Sequence, residues 1–107
     1  MATTLTATEE FEKVILSESL VVVEFFAEWC SPCQKMEKFL QDLMKDSKYK
    51  DKKIQFYRIN VDTLPGIAKM VGIGALPTFV CYRDNRKLDE SVGASKSSLK
   101  KMLKKYM

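Results

Sequence analysis

Two cysteines separated by two residues, in the stretch Trp29-Cys30-Ser31-Pro32-Cys33, are the side chains of this sequence with the greatest chemical reach. A C-x-x-C spacing serves three ends: a redox-active pair, half of a tetrahedral metal site, or two buried and inert thiols. Zinc wants four ligands drawn from cysteine, histidine and carboxylate. The chain has 3 cysteines and 0 histidines, and the third cysteine, Cys81, falls inside an apolar run that reads as a strand. The ligand count argues against a metal, and Cys81 reads most simply as a small buried hydrophobe. Three cysteines cannot all pair within one chain, so a structural disulfide framework is not expected either.

What the pair can do depends on the elements that hold it. The run 20–27, LVVVEFFA, is nearly continuous in Val and Phe, as a strand covered on both faces should be, and reads as a central parallel strand. From Pro32 onward Met36, Phe39, Leu40, Leu43 and Met44 recur at i, i+3, i+4, i+7 and i+8, the stripe of an amphipathic helix. Pro32 suits its first turn, where a missing N–H costs little. Upstream, Thr6-Ala7-Thr8-Glu9 matches the capping-box pattern and predicts a helix over 7–17 behind a short extended stretch. Downstream, 54–61 reads as a strand, 64–71 as a short helix begun by Pro65, and 78–82 and 87–92 as a hairpin around Arg83-Asp84-Asn85-Arg86. A last helix carries Leu99, Met102, Leu103 and Tyr106 on one stripe, and the polar stretch 46–53, DSKYKDKK, reads as a loop. This order predicts an α/β fold, a central mixed five-stranded sheet flanked by four helices.

The cysteine pair thus lies where a buried strand hands over to a helix. Unpaired N–H groups and the positive end of the helix dipole face Cys30 there, favouring the thiolate that attacks disulfides. Cys33, one turn later, can attack a mixed disulfide formed at Cys30 and release the reduced substrate. The expected roles are an exposed nucleophile, Cys30, and a recessed resolving thiol, Cys33. The end of a parallel sheet is also where α/β folds place their sites, which argues against inert thiols. Pro32 stiffens the turn, while Ser31 either donates a hydrogen bond there or merely tolerates the turn.

With INVD, ALPT and SVGA further along, WCSPC after VVVEFFAE resembles the thioredoxin family over essentially the whole chain, and the element order is that of the thioredoxin fold. The resemblance implies a single domain over 1–107 that reduces protein disulfides by dithiol–disulfide exchange. Cys30 and Cys33 match the family's redox pair, and Trp29 the aromatic residue beside it. Pro77 matches a cis-proline, Leu76 before it would offer backbone groups to an extended substrate strand, and Gly93 belongs to the rim that receives substrate. Glu24 matches a buried aspartate thought to take the Cys33 proton, and is one methylene longer. A carboxylate in so apolar a strand must be paired, hydrated or protonated. Arg58, where the family often has Lys, is its expected partner. Lys38 departs from a proline that kinks the helix in many members, and Arg86 from a turn glycine.

The resemblance also implies partners: disulfide-containing client proteins, and a thioredoxin reductase that supplies electrons in cell redox homeostasis. The chain has no G-x-G-x-x-G and no phosphate loop, so NADPH and FAD enter only through that reductase. Two other classes compete. A client-binding module with incidental thiols is disfavoured by the intact pair, and an oxidase or isomerase usually has a histidine between the cysteines.

Composition sets the outer bounds. The 107 residues suffice for one core, and the net charge of +4 arises from 18 basic and 14 acidic residues mixed along the sequence. Lysines are densest over 45–53 and 100–105, which read as a solvated loop and as a helix end suited to cations. Neither has the aromatic interleaving of a nucleic-acid surface. No apolar stretch approaches the ~20 residues of a membrane span, and the first residues resemble neither a secretory signal nor an organelle presequence. A cytoplasmic monomer that engages neither nucleic acid nor membrane is expected.

Overall fold

The structure, a computed structural model, describes residues 2–107. Its centre is the most apolar strand. All of β2 (Val21–Phe26) is buried, because it lies in the middle of a five-stranded sheet of order β1-β3-β2-β4-β5. On one side β2 runs parallel to β3 (Gln55–Asn60), which is parallel in turn to the short edge strand β1 (Thr3–Thr4). On the other side it runs antiparallel to β4 (Thr78–Arg83), which closes a hairpin with β5 (Arg86–Val92).

Strand residues alternate between faces. Val21, Val23 and Phe25 join Ile59 and Val80 beneath α1 (Thr8–Val14) and α4 (Pro65–Val71), which contribute Phe11 and Ile67. Val22 faces the other way, with Phe79 and Cys81, toward α2 (Ser31–Lys45) and α5 (Lys96–Tyr106). Met36, Leu40 and Leu43 of α2, and Leu99, Met102 and Leu103 of α5, are the buried residues of those helices. Glu24, between Val22 and Phe26, is therefore aimed at the α2 face.

The described residues form five helices rather than the expected four. The additional one, α3 (Ser47–Lys50), lies inside the polar stretch read as a loop. Asp46 starts it by accepting the Lys48 N–H at 2.9 Å, and Tyr49 anchors it by burying its ring among Leu43 and Met102. One buried ring in a single turn leaves no periodic trace among seven polar neighbours. A second correction concerns α1. Its cap is made by Glu10, whose carboxylate accepts the Thr6 N–H at 2.8 Å and the Thr6 hydroxyl at 2.9 Å, and not by Glu9. The helix begins one residue later than the motif implied, with Ala7 at the N-cap.

The lysine clusters of α3 and α5, far apart in sequence, meet. Lys48, Lys100, Lys101 and Lys104 line one cleft of about 320 Å³, whose only ring is the buried Tyr49.

The β4–β5 hairpin turns through Asp84 and Asn85, at φ 53° and 65°. Two left-handed residues are what a two-residue hairpin requires, and Asp and Asn tolerate this best after glycine. Asn85→Val should cost about 1–2 kcal/mol, read as a lower urea midpoint with an unchanged denaturant slope.

Candidate active site

The site grows out of the end of β2. After Phe26 the chain leaves the sheet, and Cys30 becomes the N-cap of α2 in an extended conformation, with Ser31 and Pro32 opening the helix. The Cys33 N–H donates to Cys30 Sγ at 3.2 Å, so the sulfur takes the place that a serine or aspartate oxygen fills at other helix starts. This donor and the first turn of α2 favour negative charge on Cys30. Cys30 and Cys33 are joined as a disulfide, with their Cα atoms 5.3 Å apart.

One expectation is corrected here. Cys30 is not exposed in this oxidised state: it is 4% accessible, against 1% for Cys33. The two differ in what they border. Cys30 lines an apolar groove of about 620 Å³ together with Trp29, Pro32, Val61, Ile73 and Leu76. Cys33 instead lines a smaller polar recess with Gln34, Glu37 and Arg58. The asymmetry between the sulfurs is thus one of neighbourhood, set by one helical turn.

The other expected residues fall around the groove. Trp29 is 71% exposed and stands at its edge. Ser31 also lines it, and among the described residues its hydroxyl makes no side-chain hydrogen bond. The Leu76–Pro77 peptide is cis. The Gly93 N–H donates to the Pro77 carbonyl at 2.7 Å, which ties the end of β5 to the loop before β4; Gly93 has φ 91°, where a side chain would be strained. Leu76 lines the groove, whereas Pro77 and Gly93 do not. Thr78 Oγ1 donates to the Ala75 carbonyl at 2.7 Å, and among the described residues the Leu76 N–H and C=O take no partner from the fold.

Glu24 is 1% exposed and pairs with Arg58, its register partner on β3, with Nε donating to Oε1 at 2.9 Å. Burial pushes its carboxyl above the usual carboxylate range, against the pull of the Arg58 charge and hydrogen bond. Glu24 Oε2 is buried without a hydrogen-bond partner.

Three contacts lie outside the sequence expectations. Trp29 Nε1 donates to Asp62 Oδ2 at 2.9 Å, fixing the exposed indole; Asp62 is the last residue of the INVD motif. Arg58 also reaches Glu37, with NH1 3.2 Å from Oε1, and stacks its guanidinium 3.7 Å from the Phe26 ring centre. Glu37 falls on the polar side of the α2 pattern, and nothing in the sequence set it apart.

Cys81 takes no part. It is buried on β4, with Sγ 3.7 Å from the Asp89 carbonyl, and burial, then the Asp89 charge, pushes its thiol up to about 11. Among the described residues no cluster of His, Cys, Asp and Glu is placed to hold a metal ion, and no helix is long and apolar enough to cross a membrane.

A family model described as thioredoxin matches residues 2–105. The chain is 33% identical to thioredoxin 1 of Plasmodium falciparum, over 99% of this chain and 98% of that protein. It is 35% identical to the mitochondrial thioredoxin-2 of Schizosaccharomyces pombe, over 91% of this chain and 70% of that protein. Among solved structures, the thioredoxin of Malassezia sympodialis superposes with a TM-score of 0.91 at 31% identity, covering 98% of this chain and 92% of that one. Sequence, fold and the paired sulfurs at the head of α2 agree: the chain belongs to the thioredoxin family and is a protein-disulfide oxidoreductase working by dithiol–disulfide exchange.

Proposed function

We propose that the protein is a reductase of client disulfides, with Cys30 as attacking thiolate, Cys33 as resolving thiol and Glu24 as the base that takes the Cys33 proton. The observation that carries this reading is the placing of the pair: Cys30 borders the apolar groove while Cys33 and Arg58 border the polar recess. A client lies in the groove against Trp29 and pairs its backbone with the free Leu76 groups, with Pro77 and Gly93 holding that loop. Its disulfide meets Cys30, and Cys33 displaces it from behind. Pro32 holds the turn in which this happens, and Ser31 occupies it.

Electrons come from a thioredoxin reductase that carries FAD and oxidises NADPH. The protein works as a monomer in the cytoplasm, where thiols are kept reduced. The test is insulin reduction driven by NADPH and a thioredoxin reductase, with the glutathione equilibrium measured in parallel. Steady NADPH consumption and a reducing potential are expected. A strongly oxidising potential would assign the protein to disulfide formation instead.

A further inference from the structure

Arginine and a carboxylate commonly form two parallel hydrogen bonds. Arg58 and Glu24 form one, through Nε and Oε1, and among the described residues the buried Glu24 Oε2 has no protein partner. A buried acceptor without a partner is costly to a fold. Glu37 takes NH1 of the same guanidinium at 3.2 Å, while Phe26 stacks against its plane. Glu37 lies one helical turn after Cys33, on the same face of α2. Both line the polar recess of about 340 Å³, together with Arg58; Glu24 does not line it.

We propose that Glu37 is a positioning residue for resolution: by holding one edge of Arg58 it keeps the guanidinium from closing on both oxygens of Glu24 and leaves Oε2 free for the Cys33 proton. The inference rests on Glu24 being the base. In that step the Cys33 proton passes to Glu24 and the Cys33 sulfur bonds to Cys30 Sγ. The bond from Cys30 to the client sulfur breaks, and that sulfur leaves as a thiolate with the electron pair. The dithiol is oxidised to the disulfide and the client is reduced.

Among the described residues, the charged groups acting on Glu24 are Arg58 from β3 and Glu37 from α2, and α2 also carries the Cys33 thiol. From β4, Phe79 lies opposite and Cys81 follows on the same face; α5 brings Leu99 and Leu103. Burial raises the Glu24 carboxyl, the charge and hydrogen bond of Arg58 lower it, and the charge of Glu37 raises it again. Removing Glu37 therefore acts on Glu24 in one direction, twice over: Arg58 engages it fully, and a neighbouring negative charge is lost.

The test is stopped-flow oxidation of the reduced protein by a saturating disulfide-bonded peptide, followed through the single tryptophan, Trp29, across pH. Glu37→Ala should move the midpoint of the resolution profile down by about 0.5 pH unit and slow the plateau several-fold, while Glu37→Gln, which keeps an acceptor for Arg58, restores part of the plateau. In a Glu24→Gln background, Glu37→Ala should add nothing. If Glu24→Gln flattens the profile but Glu37→Ala leaves it as in the wild type, the proposal fails and Glu24 remains the base. If Glu24→Gln itself changes nothing, the base assignment falls and the proposal with it. An equal shift from Glu37→Ala in both backgrounds would mean that Glu37 acts on the thiols directly, and would also overturn it.

Discussion

Cys30→Ser is expected to reduce insulin-disulfide turnover to the dithiothreitol background, whereas Cys33→Ser should accumulate a covalent mixed disulfide with the client. The difference follows from the order of attack. Without Cys30 nothing lining the apolar groove can open the client disulfide, since Cys33 is 1% exposed and borders a different recess. Cys81 cannot substitute. Its sulfur is buried within the sheet, and a thiol pushed up to about 11 carries almost no thiolate near neutral pH. Without Cys33 the first exchange proceeds, because the donor to Cys30 Sγ is the backbone N–H of residue 33, which serine retains. The second exchange must then wait for an external thiol. Neighbouring groups held in attacking position gain effective concentrations far above any reductant in solution, so release should slow on the order of 10³-fold or more. Non-reducing electrophoresis and mass spectrometry of the trapped adduct read the outcome directly. Equal residual turnover in both variants would remove the division of roles.

Glu24→Gln should slow resolution about 10-fold or more near neutral pH while making the protein more stable there. The rate effect follows if Glu24 accepts the Cys33 proton, because an amide cannot. The stability effect follows from the sign of the shift. Burial, outweighing Arg58, raises the carboxyl above its ordinary 4.5, so the native state binds that proton more tightly than the unfolded chain does. Stability from this group is complete below that value and is lost as pH rises through the raised native one. Glutamine never ionises and escapes the loss. The variant should therefore match the wild type near pH 4 and exceed it above the native transition. Arg58 is not stranded by the change, since Glu37 still holds it at 3.2 Å. Urea midpoints at several pH values measure the difference. A constant offset across pH would show that ionisation of Glu24 is not its source.

The residues read most securely from sequence were those whose signal lies within a few positions. The apolar run before WCSPC could only be a covered strand, and the stripe from Met36 to Met44 could only be a helix, so the cysteines had to sit at their junction. That Glu24 needs a partner was also legible, because an acid inside such a strand cannot stay unpaired, but Arg58 was singled out only by the family resemblance; the structure places it in register with Glu24. The capping motif was legible in kind but misplaced by one residue, since Glu9 and Glu10 stand side by side and the last turn of competition is decided by where the helix axis points.

What the sequence by itself determined, then, was the pair, the junction and the kind of chemistry, because each rests on local periodicity, capping and the chemical identity of the thiols. The tertiary structure alone decided which groove each sulfur borders, that Asp62 holds Trp29, that Glu37 shares Arg58 with Glu24, and that Lys48 meets the lysines of α5. Those are contacts between the polar sides of separate elements. Polar side chains leave no periodic imprint, and their meeting depends on how far each helix is rotated about its axis and on how the strands are ordered in the sheet, which the packing of the whole core settles.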